Sequence, residues 1–310
     1  MLCHSMNKIP FNPISAFYQK QFGQKVYKIP VAVVEDCPNR QGLKGMETCI
    51  FCDPWGSAAR SEMLLKPLKE QIFELSQHIQ KKHKNDLFLV YFQAYTNTFS
   101  KLNQIQANFD TALSFDFVKG LVIGTRPDCI SPAVLNLWKD YSEKTFVSVE
   151  LGVQSFQDKT LQFLKRGHTA KQSIHAIEKI KKLNHVDIGI HLILGTPNET
   201  DQHIIDMAKL CNSLQVSNVK LHNLHVLKKT TLESLYNEGR FEPIELQEYA
   251  RRVCLFLEHL SPEIYLHRLA AFASRGEELI SPLWTANKMY AHQFIIDYIN
   301  DKGSFQGSSI

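Results

Sequence analysis

Long apolar runs are missing from this chain. No stretch of its 310 residues approaches the roughly 18 consecutive apolar positions that cross a bilayer, which excludes a helical membrane protein. Low-complexity tracts, internal repeats and Gly/Ser linkers are also missing, so neither a repeat array nor tethered modules are expected. The first residues, MLCHSMNKIPFNPISAFYQKQFG, hold no continuous apolar stretch and no small-residue cleavage site. They do not read as a signal peptide, and the expected compartment is the cytoplasm. A charge excess is nearly absent as well: 35 Lys and Arg against 31 Asp and Glu leave +4, compatible with a polyanionic partner without demanding one. Apolar residues at 44% and charged residues at 21% exclude disordered and fibrous classes.

What the chain does have is seven cysteines, an odd number, with Cys37, Cys49 and Cys52 inside sixteen residues. Without an export signal, this argues for reduced thiols and a metal site rather than a disulfide framework. Cys129, Cys211 and Cys254 are scattered singly and read as buried thiols.

Short β-branched or aromatic runs alternate with longer helical patterns. Strands are expected over 26–34, 87–95, 120–125, 145–153, 187–195 and 216–226. Helices are expected over roughly 61–83 and near 103–117, after Ser131-Pro132 with Ser131 as N-cap, and through Ile174, Ile177, Ile180 and Leu183. Near-continuous apolar strands, each followed by a helix, predict an α/β fold. The expected form is a partial, open β/α barrel of about six parallel strands with surrounding helices and a C-terminal helical extension. Residues 1–25 read as an N-terminal extension, 26–270 as the barrel core and 271–310 as an extension packed on it. Functional residues in such a barrel sit at the C-terminal ends of the strands. Those ends are polar here: Gln93, Thr96 and Asn97; Thr125, Arg126 and Asp128; Glu150, Gln154 and Ser155; His191; Lys220, His222 and His225.

The cysteine loop reads CPNRQGLKGMETCIFC, a Cys-x11-Cys-x2-Cys spacing. Two thiolates three residues apart can grip one centre from a single turn, and Gly42 and Gly45 let the first cysteine fold back to join them. Zinc with a fourth ligand such as His4 or a remote histidine fits this spacing. A 4Fe-4S cluster held by three cysteines fits it too, with one iron left open to chelate the amino and carboxylate groups of S-adenosylmethionine.

With these pieces read in order, the chain resembles a radical S-adenosylmethionine protein of the YhcC/YtqA type. It is next similar to the radical domain of the Elongator catalytic subunit. CPNRQGLKG and CIFC, FQAYTNTF, IGTRPDC, VELGVQS, LKRGHT, HLILGTPNET and VKLHNLHVLKKTTL carry the resemblance over nearly the whole length. It implies that Cys37, Cys49 and Cys52 hold a 4Fe-4S cluster and that Phe51 lies beside the adenine of S-adenosylmethionine. It places Glu150 near the ribose or amino group and Gln93 and Asn97 where the family's amino-group motif lies. Gln154 and Arg166 are spaced as in oxygen-independent coproporphyrinogen oxidase, where such a pair meets the methionine portion. An arginine fork suits that carboxylate. A flavodoxin- or ferredoxin-type electron donor is implied as partner.

Asp128, Lys220 and His222 are the catalytic candidates. Asp128 serves as an acid or base, or else caps the helix that follows; the histidines act as metal ligands or as hydrogen-bonded walls. The Elongator resemblance implies work on the C5 substituent of a wobble uridine in tRNA, making tRNA a possible partner. Radical chemistry on a small metabolite or protein side chain is the alternative, and a zinc-bound adaptor is a third. Two departures from the family pattern stand out: Glu47-Thr48 replaces a glycine pair, and Leu269-Ala270-Ala271 replaces Thr-Gly-Asp after His267-Arg268.

Overall fold

A computed structural model describes residues 9–34, 36–54, 56, 66–273 and 275–310. The elements run α1 (Ile14–Phe22), β1 (Tyr27–Val31), α2 (Leu68–His83), β2 (Phe88–Phe92), α3 (Leu102–Leu113) and β3 (Val118–Thr125). Next come α4 (Pro132–Ser142), β4 (Phe146–Gln154), α5 (Asp158–Phe163), α6 (Ala170–Lys181), β5 (Val186–Leu194) and α7 (Asp201–Leu214). Then follow β6 (Asn218–Asn223), β7 (Val226–Leu227), α8 (Thr231–Asn237), α9 (Leu246–Glu258), β8 (Tyr265–Arg268), β9 (Leu279–Ser281) and α10 (Lys288–Asp301).

The main sheet has seven strands in the order β1-β2-β3-β4-β5-β6-β8, with parallel pairing from β1 through β4 and between β6 and β8. Parallel strands in chain order, joined by helices and numbering fewer than eight, form an open β/α barrel. About six strands are expected from sequence; the seventh is β8, only four residues long. The run expected as one strand over 216–226 is broken. β6 ends at Asn223, and Val226–Leu227 pairs antiparallel with β9 in a separate two-stranded sheet. The helix expected over roughly 61–83 begins at Leu68, and positions 61–65 lie outside the described residues.

Two compact units compose the chain: Ser15–Ile190, and the described residues up to Ile14 together with His191–Ile310. In the first, β2 is buried at all five positions and β3 at seven of eight, as strands covered on both faces require. Each fully buried Val, Leu, Ile or Phe contributes about 1.5–3 kcal/mol. At the start of β4, Phe146 packs edge-on against Phe22 and Tyr18 of α1, with centroids 5.4 and 6.4 Å away. Ser131 accepts from Val134 N at 3.3 Å, so it is the N-cap of α4 as expected, and Thr169 forms a capping box with Gln172 at α6.

In the second unit α10 lies against α9. The chain's last residues are fastened by Gln306, which is buried and donates to the carbonyls of Ser261 and Ile264 at 2.7 Å each. Trp284 donates to the Ile244 carbonyl at 3.1 Å. Among the described residues no helix is long and apolar enough to cross a membrane.

Candidate metal and cofactor centre

The cysteine loop leaves β1 and folds by local turns. Arg40 N and Gln41 N donate to the Cys37 carbonyl at 3.0 and 3.1 Å, and Cys52 N donates to the Cys49 carbonyl at 3.0 Å. Gly42 and Gly45 take φ of 64° and 74°, the left-handed backbone that glycine adopts without strain and that folds the loop back.

One side chain fastens this loop to α5. Asn39 is 1% exposed, and its Nδ2 donates to the carbonyls of Glu47 at 2.8 Å and Lys165 at 2.6 Å and approaches Cys49 Sγ at 3.4 Å. Ile50 N adds a bond to the Leu164 carbonyl at 3.3 Å. The end of α5 aims Arg166: Lys165 turns left-handed at φ 51°, and Arg166 N closes onto the Leu161 carbonyl at 3.0 Å. Arg166 then reaches inward, with Nη1 3.2 Å from Cys49 Sγ, Nη2 2.9 Å from the Gly152 carbonyl and its guanidinium 6.0 Å from the Phe51 ring centroid. A second buried cation, Arg126, holds the Arg166 carbonyl at 2.6 Å through Nη2. It also grips Asp128 with two bonds of 2.9 Å.

The sequence-expected residues divide by what they touch. Asp128 is occupied by Arg126, and Ser131 rather than Asp128 caps α4. Asn97 gives its amide hydrogens to the carbonyls of Phe92, Ala94 and Gly124 at 2.9–3.2 Å, which orients its oxygen the other way. Gln93 ties its backbone N–H to the Val31 carbonyl at 3.2 Å. Gln154 ends β4 with φ 68°, a left-handed conformation costing of order 1–3 kcal/mol and found where function imposes it. A Cβ on Gly152 would stand 2.9 Å from Gln154 Nε2 and 3.1 Å from Arg166 Nη2, so a bare backbone lets these two side chains approach.

Glu150 departs from its expected position at a strand end. It lies in the middle of β4, 1% exposed, ion-paired with Lys28 of β1 and accepting from Tyr91 Oη of β2 at 2.7 Å. Lys28 and Tyr91 are missing from the sequence reading. The available signal was a lone charge inside the apolar run VYKIPVAVV. Asn39 is missing too, and no local signal distinguishes it from an ordinary turn residue.

In the second unit Lys220 and His222 share one face of β6, being two residues apart, and Lys220 registers with Arg268 of β8. The His191 and His222 ring centroids are 5.1 Å apart, and Arg268 Nη2 lies 2.8 Å from His222 Nδ1. Burial, then the Arg268 charge, holds His222 well below the usual imidazole range and His225 at about 4. Both rings are therefore neutral at pH 7.

Among the described residues no three His, Cys, Asp or Glu side chains gather closely enough to grip a single metal ion. The surroundings of the cysteines nonetheless suit an anionic, thiolate-bound group. Burial pushes the Cys52 thiol up to about 12, with Cys49 adding to the rise and Arg40 opposing it, so a bare thiolate is disfavoured until a metal centre compensates it. Arg126 Nη1 and Arg166 Nε are buried without a hydrogen-bond partner among the described residues, as are Asn97 Oδ1 and Asn39 Oδ1. Buried polar atoms are normally satisfied. Unsatisfied guanidinium N–H groups suit a carboxylate, and an unsatisfied amide oxygen suits an ammonium group.

The family profile described as the radical SAM superfamily matches residues 33–211, and that of the Radical_SAM C-terminal domain matches 216–300. Protein YhcC of Escherichia coli is 32% identical over 292 residues, covering 94% of this chain and 92% of its own. The tRNA uridine(34) acetyltransferase of Methanocaldococcus jannaschii is 28% identical over 142 residues, 43% of this chain and 26% of that protein. Among solved structures, Methanocaldococcus infernus Elp3 matches at a TM-score of 0.71 with 17% identity, covering 91% of this chain and 64% of that one, which shows a shared fold.

Proposed function

The chain belongs to the radical S-adenosylmethionine superfamily and to its YhcC/YtqA-type family; from that premise we propose that it modifies the C5 side chain of the wobble uridine in tRNA. It is an enzyme whose cofactors are a 4Fe-4S cluster and S-adenosylmethionine, and the adaptor reading with zinc falls. When bound, these cofactors supply one electron to the sulfonium and so a 5′-deoxyadenosyl radical able to take hydrogen from an unactivated carbon.

The chain's own residues do the holding and aiming. Cys37, Cys49 and Cys52 are the cluster ligands, presented by one loop that Asn39 fixes to the end of α5. Arg166 and Gln154 take the methionine carboxylate, and Asn97 Oδ1 accepts from the amino group. Phe51 packs at the adenine, and Gln93 contributes at the adjoining strand end. Glu150, whose charge Lys28 balances and whose other oxygen Tyr91 holds, braces β1, β2 and β4 beneath the site. Lys220 and His222 face the substrate. Asp128, held by Arg126, keeps the Arg166 turn in place rather than exchanging protons.

The observation that carries the radical chemistry is the joining of Cys49, Arg166 and Gly152 in one buried hydrogen-bonded corner. The tRNA assignment is supported by the partial similarity to tRNA uridine(34) acetyltransferase. A flavodoxin- or ferredoxin-type protein is the proposed electron donor.

Anaerobic reconstitution, followed by dithionite and S-adenosylmethionine, tests the chemistry through 5′-deoxyadenosine. Wild type should yield it, and a Cys37→Ala, Cys49→Ala, Cys52→Ala variant should not. For the substrate, tRNA from cells lacking the protein should bind and stimulate cleavage, with affinity falling steeply as salt rises. Deoxyadenosine production indifferent to tRNA would move the assignment to a small metabolite or protein side chain.

A further inference from the structure

We propose that Arg166 tunes the reduction potential of the cluster by donating a hydrogen bond to the Cys49 sulfur, with Asn39 fixing the loop that presents that sulfur. The inference rests on the reading that Cys49 ligates the cluster, and it gives Arg166 a role beyond contact with the cofactor's carboxylate.

Three features of the corner carry the inference. First, the guanidinium is divided. Nη2 is spent on the Gly152 carbonyl at 2.9 Å, while Nη1 sits 3.2 Å from Cys49 Sγ, inside the range for an N–H donor to sulfur. Second, Asn39 Nδ2 approaches the same sulfur at 3.4 Å while also bonded to the Glu47 and Lys165 carbonyls, so its position is set from both sides. Third, the arrangement is buried and braced: Arg166 is 8% exposed and Asn39 1%, and Arg126 Nη2 fixes the Arg166 carbonyl at 2.6 Å. The cysteines are not treated alike. Cys52 Sγ has Arg40 Nη1 at the longer distance of 3.8 Å.

The direction follows from charge. Reduction adds an electron to a centre that already carries thiolate charge, so a nearby cation and N–H donors stabilise the reduced form more than the oxidised form. Hydrogen bonds to sulfur and net charge are among the levers that set iron–sulfur potentials. Arg166 contributes both. Removing its charge should make the cluster harder to reduce. In this role Arg166 acts through Cys49, apart from its contact with the carboxylate.

The test is a redox titration of the reconstituted full-length protein, followed by electron paramagnetic resonance and run without S-adenosylmethionine so that any carboxylate contact is silent. Iron and sulfide are measured on each sample. Arg166→Gln should retain the cluster and lower the reduced-to-oxidised ratio at fixed potential at least tenfold, about 59 mV for one electron. Arg166→Lys, which keeps the charge, should recover part of that shift.

A full iron complement in Arg166→Gln with an unmoved potential overturns the inference. So does loss of the cluster in both Arg166 variants while their cluster-free forms melt like wild type, which would make the residue an assembly device only. Failure of the underlying reading looks different: wild type would take up no cluster, or Cys49→Ala would retain all of it.

Discussion

The cysteine loop with Arg166 and the strands carrying His191, His222 and Arg268 are both rich in enclosed polar groups, yet they manage burial by opposite means. The loop uses permanent charge. Arg126 and Arg166 cannot shed a proton, so their N–H groups need acceptors, and carbonyls of Gly152 and Arg166, Asp128 and a cysteine sulfur supply part of them. The histidine group uses neutrality: burial and the Arg268 charge hold His222 and His225 uncharged, which removes the desolvation cost of a cation. A corner of fixed cations suits a fixed anionic cofactor. A set of neutral rings beside an arginine can donate or accept hydrogen bonds, which suits a substrate-facing wall.

The sharpest way to break this contrast is to remove the anion site. Cys49→Ala should abolish iron–sulfur absorbance and deoxyadenosine formation together, the largest effect expected. His222→Gln should leave iron content and abortive cofactor cleavage intact. Loss of iron on replacing His222 would show that the two regions do not divide their work in this way.

The next largest effect concerns Arg126. Replacing it by Met strands Asp128 and frees the Arg166 carbonyl, which now accepts at 2.6 Å. Breaking one half of a buried pair costs about 3–5 kcal/mol. Urea unfolding of the cluster-free protein should show that loss, and Asp128→Asn should recover part of it in the double variant.

The histidine side predicts a pH dependence. An unfolded histidine titrates near 6.5, whereas His225 in the folded chain titrates at about 4. Between these values the unfolded chain binds a proton that the folded chain refuses. This group's contribution is therefore intact above about 6.5 and is lost as pH falls through about 4, with a slope of up to about 1.4 kcal/mol per pH unit. Urea midpoints measured across that window should fall less steeply in His225→Gln. An unchanged slope would mean that the ring is protonated in the native state.

How much of this was legible in the sequence follows the same division. The cysteine spacing is local, and the Gly42 and Gly45 turns that serve it lie inside the same loop, so CPNRQGLKGMETCIFC showed the loop directly. Strand and helix alternation revealed the barrel because buried parallel strands must be apolar along their length. Partnerships across the sheet were not legible. Glu150 finds Lys28 122 positions away, and Asn39 finds Lys165 126 positions away. Nothing in either neighbourhood encodes the distant partner. The seventh strand escaped because four residues ending in His267-Arg268 carry too little apolar pattern to read. The sixth was overextended because Leu224 and Val226 keep the apolar pattern going after the ladder to β8 has ended.

The smallest expected effect comes from the same loop as the largest. Lys165 precedes Arg166 and pairs with Glu47. The two cations sit in the same turn, but the Lys165–Glu47 pair is solvent-facing, with side chains 35% and 67% exposed, whereas Arg166 is 8% exposed. Water screens the first pair and is excluded from the second, so the outer pair should contribute at most about 1 kcal/mol. Glu47→Gln removes its charge yet leaves the Glu47 carbonyl that Asn39 holds at 2.8 Å. That variant should melt within error of wild type and bind the same iron. If it instead lost iron, the loop would depend on its surface charge, and the priority given to the buried Asn39 and Arg166 contacts would have to be reversed.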